Sequence, residues 1–308
     1  MRFKLNLIFD FNPFGNTLPA NYQYELSGWI YHTLAHGDTA YSEWLHQNGY
    51  IKDQKQFKLF TFSNLQIPKL QMDGDRLILL SDQAQLYLSF LPERATEEFI
   101  KGLFSSQSFV LGDRHSQVQC HVQSIELIEP PTFEPSMTFR TLSPMVLSGH
   151  LPNGKPTYLS PDAPDTARMI YENLCAKYQA FYGKPFEITP ENNTDPQSLY
   201  NGSISKDATV YTSIDKQTDR TSEPDNENQA IPGTSFEILS PPKRKKITIK
   251  AGTPQQTYII GYQTHFRISL PAELMRIMNE TGIGKAGSMG FGMVEEYKQV
   301  TSPKKSER

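Results

Sequence analysis

One imidazole, one hydroxyl to orient it and one lysine near the developing charge suffice for metal-free general acid/base chemistry. The first half of this chain offers Tyr31, His46 and Lys58. His46 falls in the last turn of a predicted short helix, where the macrodipole favours the imidazolium, whereas a nearby lysine opposes it. Each residue also has a plainer reading: Tyr31 packing on a sheet, His46 and Lys58 solvated. Metal and nucleophile chemistry find less support. The seven histidines include no H-E-x-x-H, and His32 and His36, although four apart on a helix, have no carboxylate completing a site. No G-x-S-x-G elbow occurs, and no cofactor is expected.

A second feature lies near the C-terminus, where Gly282, Gly284, Gly287, Gly290 and Gly292 surround Lys285. Such density removes side-chain bulk, permits positive φ and leaves N–H groups free to face an anion. Residues 282–287 fit G-x-G-x-x-G, but a dinucleotide loop follows a strand and opens a helix. Here the predicted helix at 271–280 precedes the loop and a strand at 291–297 follows. A Walker-type loop fails as well, because Ala286 follows Lys285 where a hydroxyl should hold magnesium. The order suits a nucleic-acid backbone, or else a tight connection beside a close-packed strand.

The elements that must position these residues follow from periodicity. A strand over 2–10 leads to a helix at about Asn21–His36, then to a short helix capped by Asp38 and ended by Asn48-Gly49. Strands are predicted at Lys58–Phe62, Arg76–Leu80 and Gln85–Phe90. A helix over Glu93–Phe104 turns Phe99, Leu103 and Phe104 inward, and strands at Phe109–Leu111 and Gln117–Leu127 close the half. Pro130-Pro131 marks a boundary. The layout then returns: a strand at Met137–Leu142, a helix at Asp165–Tyr182, strands at Phe236–Leu239, Ile247–Lys250 and Tyr258–Ile268, the 271–280 helix and the last strand. The expected class is α+β: two tandem ferredoxin-like (RRM-like, βαββαβ) domains, 1–130 and 131–308, the second ending in the glycine-rich loop. Residues 190–232, polar and poor in large apolar side chains, read as a mobile insertion with a small hairpin at Ala208–Ile214.

Length and composition agree with this division. A chain of 308 residues suggests about two domains. Two distant cysteines, Cys120 and Cys175, exclude a disulfide framework or zinc ribbon. The opening segment alternates like a strand rather than a signal peptide, and no run approaches a membrane span, so a cytoplasmic location is expected. The net charge of −3 does not announce a nucleic-acid binder, but acids concentrate in 190–232 while Lys243, Arg244, Lys245, Lys246, Lys250, Lys304 and Lys305 are basic. Local field matters more for phosphate than the total. A solvated strand start is the plainer reading of the 243–246 cluster.

The stretch from Tyr24 to Ser63, the segment Thr141–Pro144 and the terminal GIGKAGSMGFGMVE together resemble the CRISPR-associated endoribonucleases of the Cas-six type, within the RAMP superfamily. The resemblance spans the whole layout and implies two ferredoxin-like domains. Members with a Tyr-His-Lys site carry the lysine just before an LFTxS strand, which maps the roles onto Tyr31, His46 and Lys58, with Lys52 and Lys55 as neighbouring alternatives. The implied activity is metal-independent cleavage of CRISPR precursor RNA within its repeats by 2′-hydroxyl attack, giving a 2′,3′-cyclic phosphate and a 5′-hydroxyl. RNA binding would fall to Lys243–Lys246, Gly282, Gly284, Lys285, Gly287, Gly290 and Gly292, with Arg267 a lesser candidate. The contrasting reading is a non-cutting repeat-RNA-binding subunit of a CRISPR effector complex. Assembly is left open between a homodimer, a larger effector complex and neither; no membrane partner is expected.

Overall fold

In the opening strand β1 (Arg2–Asp10), Phe3, Leu5, Leu7 and Phe9 alternate with more exposed neighbours, so one face of a sheet is committed to a core from the start. The computed structural model of the chain describes residues 1–150, 153, 155–188, 233–251 and 253–298. The predicted 190–232 insertion, its hairpin and Lys304-Lys305 lie outside the described residues.

Strand β1 is central in a five-stranded antiparallel sheet. Its neighbours are β2 (Phe60–Phe62), β3 (Gln83–Phe90), β4 (Ser108–Gly112) and β5 (Gln117–Ile128), in the order β2-β3-β1-β5-β4. Helices α1 (Gln23–Gly37) and α3 (Glu93–Ser105) lay Leu26, Ile30, Leu34, Phe99 and Leu103 on its buried face. Between them comes the short α2 (Thr39–Gln47), whose first turn is capped by the Asp38 carboxylate accepting from the Tyr41 amide at 3.0 Å. Phe104 does not turn inward as expected but is 73% exposed. With Phe99 and Leu103 one turn apart on the buried stripe, the next residue rotates about 100° away. The Arg76–Leu79 strand also leaves the main sheet, pairing with Thr17–Pro19 and Leu70–Asp73.

Beyond Pro130-Pro131, strand β6 (Ser136–Thr141) is central in a four-stranded antiparallel sheet. Its other members are β7 (Ser235–Ile238), β10 (His265–Ser269) and β11 (Val294–Glu296), in the order β7-β10-β6-β11. Helices α4 (Thr166–Tyr182) and α5 (Ala272–Thr281) cover it through Ile170, Leu174, Leu274 and Met278. Both sheets share one order: the first strand central, the last and third beside it, the second at the edge. A separate ribbon, β8 (Lys243–Ile249) with β9 (Thr257–Gln263), springs from this half. The single strand expected over Tyr258–Ile268 thus splits at Thr264, whose hydroxyl donates to Ser240 O at 2.6 Å and whose amide donates to Thr141 Oγ1 at 3.1 Å. The strand expected at Ile247 starts four residues earlier, because Lys243–Lys246 find ladder partners in β9.

The halves meet where the glycine loop lies against β2. Thr61 Oγ1 donates to Phe291 O at 2.9 Å, Ser143 Oγ to Phe62 O at 2.9 Å, and Ser27 Oγ to Ser288 O at 2.7 Å. Residues 291–293 are held by these and neighbouring bonds, so the last strand begins only at Val294. Gly292 has φ +74°, and a Cβ there would stand 2.1 Å from Ile283 O.

Two buried cations close the C-terminal end of α5, where carbonyls lack intrahelical partners. Arg2 Nη2 donates to Asn279 O at 2.5 Å, and Lys177 Nζ to Gly282 O at 2.6 Å. Complete burial lowers the Lys177 ammonium to about 7.

Gly292→Ala is expected to cost roughly 3 kcal/mol, combining left-handed strain with displacement of a carbonyl. Gly74→Ala has positive φ but open space around it, and is expected to cost only about 1 kcal/mol; urea midpoints of the two variants make the comparison. Between about pH 7 and the ordinary lysine range, the unfolded chain binds more protons at position 177 than the folded one. Stability of the wild type relative to Lys177→Met should therefore rise with pH there, on the order of 1 kcal/mol per unit, as read from denaturant midpoints across that window.

Candidate active site

Helix α1 carries Tyr31 on a partly buried face, and α2 folds back so that Ser42 Oγ donates to Tyr31 O at 2.8 Å. That bond sets the two helices at a fixed angle and brings the His46 ring edge-on to the Tyr31 ring, with centroids 4.9 Å apart and planes at 87°. Tyr31 also meets Phe60 of β2, at 5.5 Å and 74°. Burial pushes its phenol well above the usual range, offset in part by a hydrogen bond with the Ser288 side chain. The phenol is therefore a hydrogen-bonding group near neutral pH rather than a base. His46 itself is exposed.

Lys58 reaches the same place from the other side. After α2 the chain turns at Gly49, forms a small hairpin from Tyr50–Lys52 and Lys55–Phe57, and returns along the helix end. There Lys58 Nζ donates to His46 O at 2.7 Å. Partial burial lowers its ammonium from the ordinary lysine value. Leu59 follows in a left-handed conformation, φ +54°, rare for a side chain of this size. The reversal sends Leu59 into the core of the second half and Phe60 into that of the first. Of the neighbouring lysines, Lys52 is paired with Asp53 at 2.6 Å, and Lys55 lies across from Lys285.

Beside this trio opens a cleft of about 500 Å³ between the two halves, lined by Lys55, Lys58, Lys177, Lys285, Ser148 and Ser288 among others. Tyr31 and His46 stand outside its lining and meet it through Ser288 and Lys58. Lys285 Nζ donates to Ser148 Oγ at 2.5 Å, and burial followed by the Lys55 charge lowers its ammonium. Gly282, Gly284, Gly290 and Gly292 are buried, and each makes room for the chain's own atoms: a Cβ at Gly284 would meet Val146 O at 2.4 Å, and one at Gly290 the Phe62 ring at 2.5 Å. Gly287, with Phe60 O 2.7 Å from a would-be Cβ, is half-buried at the cleft wall. The loop's accessible face is thus Lys285 to Ser288. Ala286 is left-handed, and the amides of residues 286–288 donate to no acceptor among the described residues. Successive free amides of this kind form an anion-binding concavity.

Lys243, Arg244, Lys245 and Lys246 are exposed along β8, and Lys246 Nζ lies 4.6 Å from the centre of the Tyr258 ring. Ile247 and Ile249 of the same strand pack with Val146 and Phe291, which ties the basic ribbon to the glycine loop. Arg267 is paired with Glu237 at 2.9 Å, so its charge is already met. Lys177 is a cleft residue that the sequence reading missed, although a signal existed: it continues the Ile170, Leu174, Tyr178 stripe of α4, where a lysine is out of place on a solvated helix. Ser288 and Ser148 offered no comparable sign. Among the described residues no group of three or more His, Cys, Asp or Glu is placed to hold a metal, and no helix is long and apolar enough to cross a membrane.

Residues 17–121 match the family described as CRISPR-associated protein Cas6, N-terminal, and residues 128–296 the family described as CRISPR associated protein Cas6, C-terminal. The chain is 25% identical over 281 residues to CRISPR-associated endoribonuclease Cas6 1 of Methanocaldococcus jannaschii, covering 90% of this chain and 86% of that one. It is 23% identical to CRISPR-associated endoribonuclease Cas6 of Pyrococcus furiosus, over 100% of this chain and 94% of the other. A solved structure described as CRISPR associated protein Cas6 superposes with TM-score 0.65 at 25% identity, covering 97% and 99% of the two chains. A Cas6-related protein from Pyrococcus furiosus gives 0.70 at 22% identity with the same coverage and shares the fold. With both halves matched by the family and the mixed α/β fold shared throughout, the chain belongs to the Cas6 family of CRISPR-associated proteins.

Proposed function

We propose that this chain is a metal-independent endoribonuclease that cuts CRISPR precursor RNA within its repeats to release guide RNAs. The observation that carries the reading is the convergence of Tyr31, His46 and Lys58 from three separate elements. Relatives named as CRISPR-associated endoribonucleases support it. In the proposed reaction the ribose 2′-oxygen attacks the adjacent phosphorus, and the bond from phosphorus to the 5′-oxygen breaks. A 2′,3′-cyclic phosphate and a 5′-hydroxyl result. His46 serves as the general acid or base. Tyr31, kept protonated by burial, orients the imidazole or the 2′-oxygen, and Lys58 stabilises charge on the phosphorane. Much of the rate comes from holding attacking and leaving oxygens in line.

The chain is further proposed to comprise two ferredoxin-like domains, 1–130 and 131–308, a reading supported by the strand order that both sheets share. The first carries the acid/base residues. The second grips the RNA backbone through Lys243–Lys246, Lys285 and the 286–288 amides. Gly282, Gly287 and Gly290 contribute by letting the loop approach β2, and Gly284 and Gly292 by letting it pack on Val146 and on its own Ile283.

In excess EDTA, His46→Ala is expected to slow cutting of a labelled repeat RNA by about 10²–10⁴ while leaving its affinity nearly unchanged. Tight binding without cutting by the wild type would instead favour a non-catalytic RNA-binding subunit. Lys243→Gln with Lys245→Gln should flatten the plot of log affinity against log salt by about 0.7 for each phosphate no longer neutralised; filter binding over a salt series checks the slope.

A further inference from the structure

The outward face of α1 is unlike that of a helix built only to meet water. Its exposed residues are Tyr24, Gly28, His32 and His36, spaced four apart in one stripe. None carries a fixed charge. Surface helix positions are usually filled by charged residues of high helix propensity. The companion helix α3 follows that rule, with Glu93, Arg94, Glu97 and Lys101 exposed. The acid in the first turn of α1, Glu25, lines a hollow beside β4 instead.

Gly28 stands out within the stripe. Glycine is among the poorest residues for a helix interior and is used where something must come close. At Gly37 and Gly102 that something is the partner helix, because a Cβ would stand 2.2 Å from Glu98 O and 1.8 Å from Thr33 O. At Gly28 the chain leaves the space empty, with no atom within 4 Å of a would-be Cβ.

The neighbours of this space point to a polyanion. Tyr24 is 39% exposed, and Lys250, at the end of the basic ribbon, holds Nζ 5.8 Å from the centre of its ring. The pair repeats the Lys246–Tyr258 arrangement farther along β8. Lys250 Nζ also donates to Gln255 at 3.0 Å, a partner without charge. Tyr31 follows Tyr24 by seven residues and Gly28 by three, so the two tyrosines leave nearly one side of the helix about 10 Å apart. Between them Ser27 pins α1 to Ser288 O of the glycine loop at 2.7 Å. The bare turn at Gly28 thus separates an aromatic ring beside an ammonium from the tyrosine of the proposed active site. Aromatic rings beside cations are what a single nucleic-acid strand stacks on and pairs its charge with.

We propose that the exposed face of α1 is a track for the RNA strand, whose backbone crosses the helix at Gly28 and whose base, within about three nucleotides of the cut, stacks on Tyr24 with its phosphate toward Lys250. The position of the track relative to the cut rests on the endoribonuclease reading. Its existence needs only that the chain binds RNA.

The test uses the full chain in a His46→Ala background as parent, alone and with Gly28→Gln or Tyr24→Ala. Repeat-RNA affinity is measured beside urea midpoints. Glutamine is the better helix former, so Gly28→Gln should raise the midpoint while weakening RNA binding by about 5- to 100-fold. A glycine with a purely structural role would not move the two in opposite directions. A repeat carrying one abasic residue, moved along position by position, locates the base. At one nucleotide within about three of the cut, base removal should weaken binding to the parent by about 5- to 100-fold, and to Tyr24→Ala far less. Unchanged affinity in Gly28→Gln, or equal abasic losses for parent and Tyr24→Ala at every position, would overturn the proposal. Coupling to a nucleotide remote from the cut would overturn the path along α1. Because the readout is binding, a wild type that never cuts would defeat the nuclease reading and leave the coupling at Tyr24 measurable.

Discussion

The contact on which the rest depends is the close approach of the loop from Gly282 to Met293 to β2, held by side-chain hydroxyls on backbone carbonyls. Hydroxyls of Thr61 and Ser27 donate to its Phe291 and Ser288 carbonyls, the Ser143 hydroxyl accepts from its Met293 amide and donates to Phe62 O, and the missing side chains of five glycines leave room for carbonyls and an aromatic ring. Such bonds have directions that apolar packing lacks. They fix the loop relative to β2 in register as well as in distance. Ser288 therefore arrives at Tyr31, and Lys285 at the cleft mouth, as consequences of one docking.

Cations accumulate on both sides of that contact at a cost. Lys177 and Arg2 are buried with carbonyls as their hydrogen-bond acceptors, and burial depresses both. The C-terminal dipole of α5 repays part of the penalty. Lys55, Lys58 and Lys285 then face the same cavity, with the lowered ammonium pKa of Lys285 owing something to Lys55. Like charges gathered in one cleft repel, and a polyanion bound there would relieve the repulsion. A chain of net charge −3 can thus still gather four lysines around one cleft.

Much of this architecture was legible in the sequence. Apolar alternation gave β1, the Asp38 cap and Asn48-Gly49 stop gave α2, and the glycine density flagged the loop, because each signal is local. What stayed hidden depends on long-range pairing. Nothing local shows that Gly284 makes room for Val146 O or Gly290 for the Phe62 ring, so glycines suited to approach by a ligand turn out to be filled by the protein itself. Phe104 looked like a core residue by type, and only its angular position on α3 expels it. Lys177 interrupts the apolar stripe of α4, a local sign, but its reach to the loop carbonyls is seen only once α4 is set against the loop. The basic run at 243–246 was visible, but its place in a paired ribbon required knowing where β9 lies.

Leu59 and Phe60 are consecutive residues anchored in different hydrophobic cores, with a left-handed turn between them. Proteins with two cores commonly join them through a linker that absorbs relative motion. Here the chain crosses between the cores within a single peptide unit at two neighbouring places, Leu59-Phe60 and Phe90-Leu91, which the Leu91 amide joins by donating to Leu59 O at 3.0 Å. Lys58, whose ammonium holds the His46 carbonyl, immediately precedes the first of these crossings, so its position depends on how the two cores seat. The seating of one half on the other is thus felt directly at the C-terminal end of α2, where His46 stands.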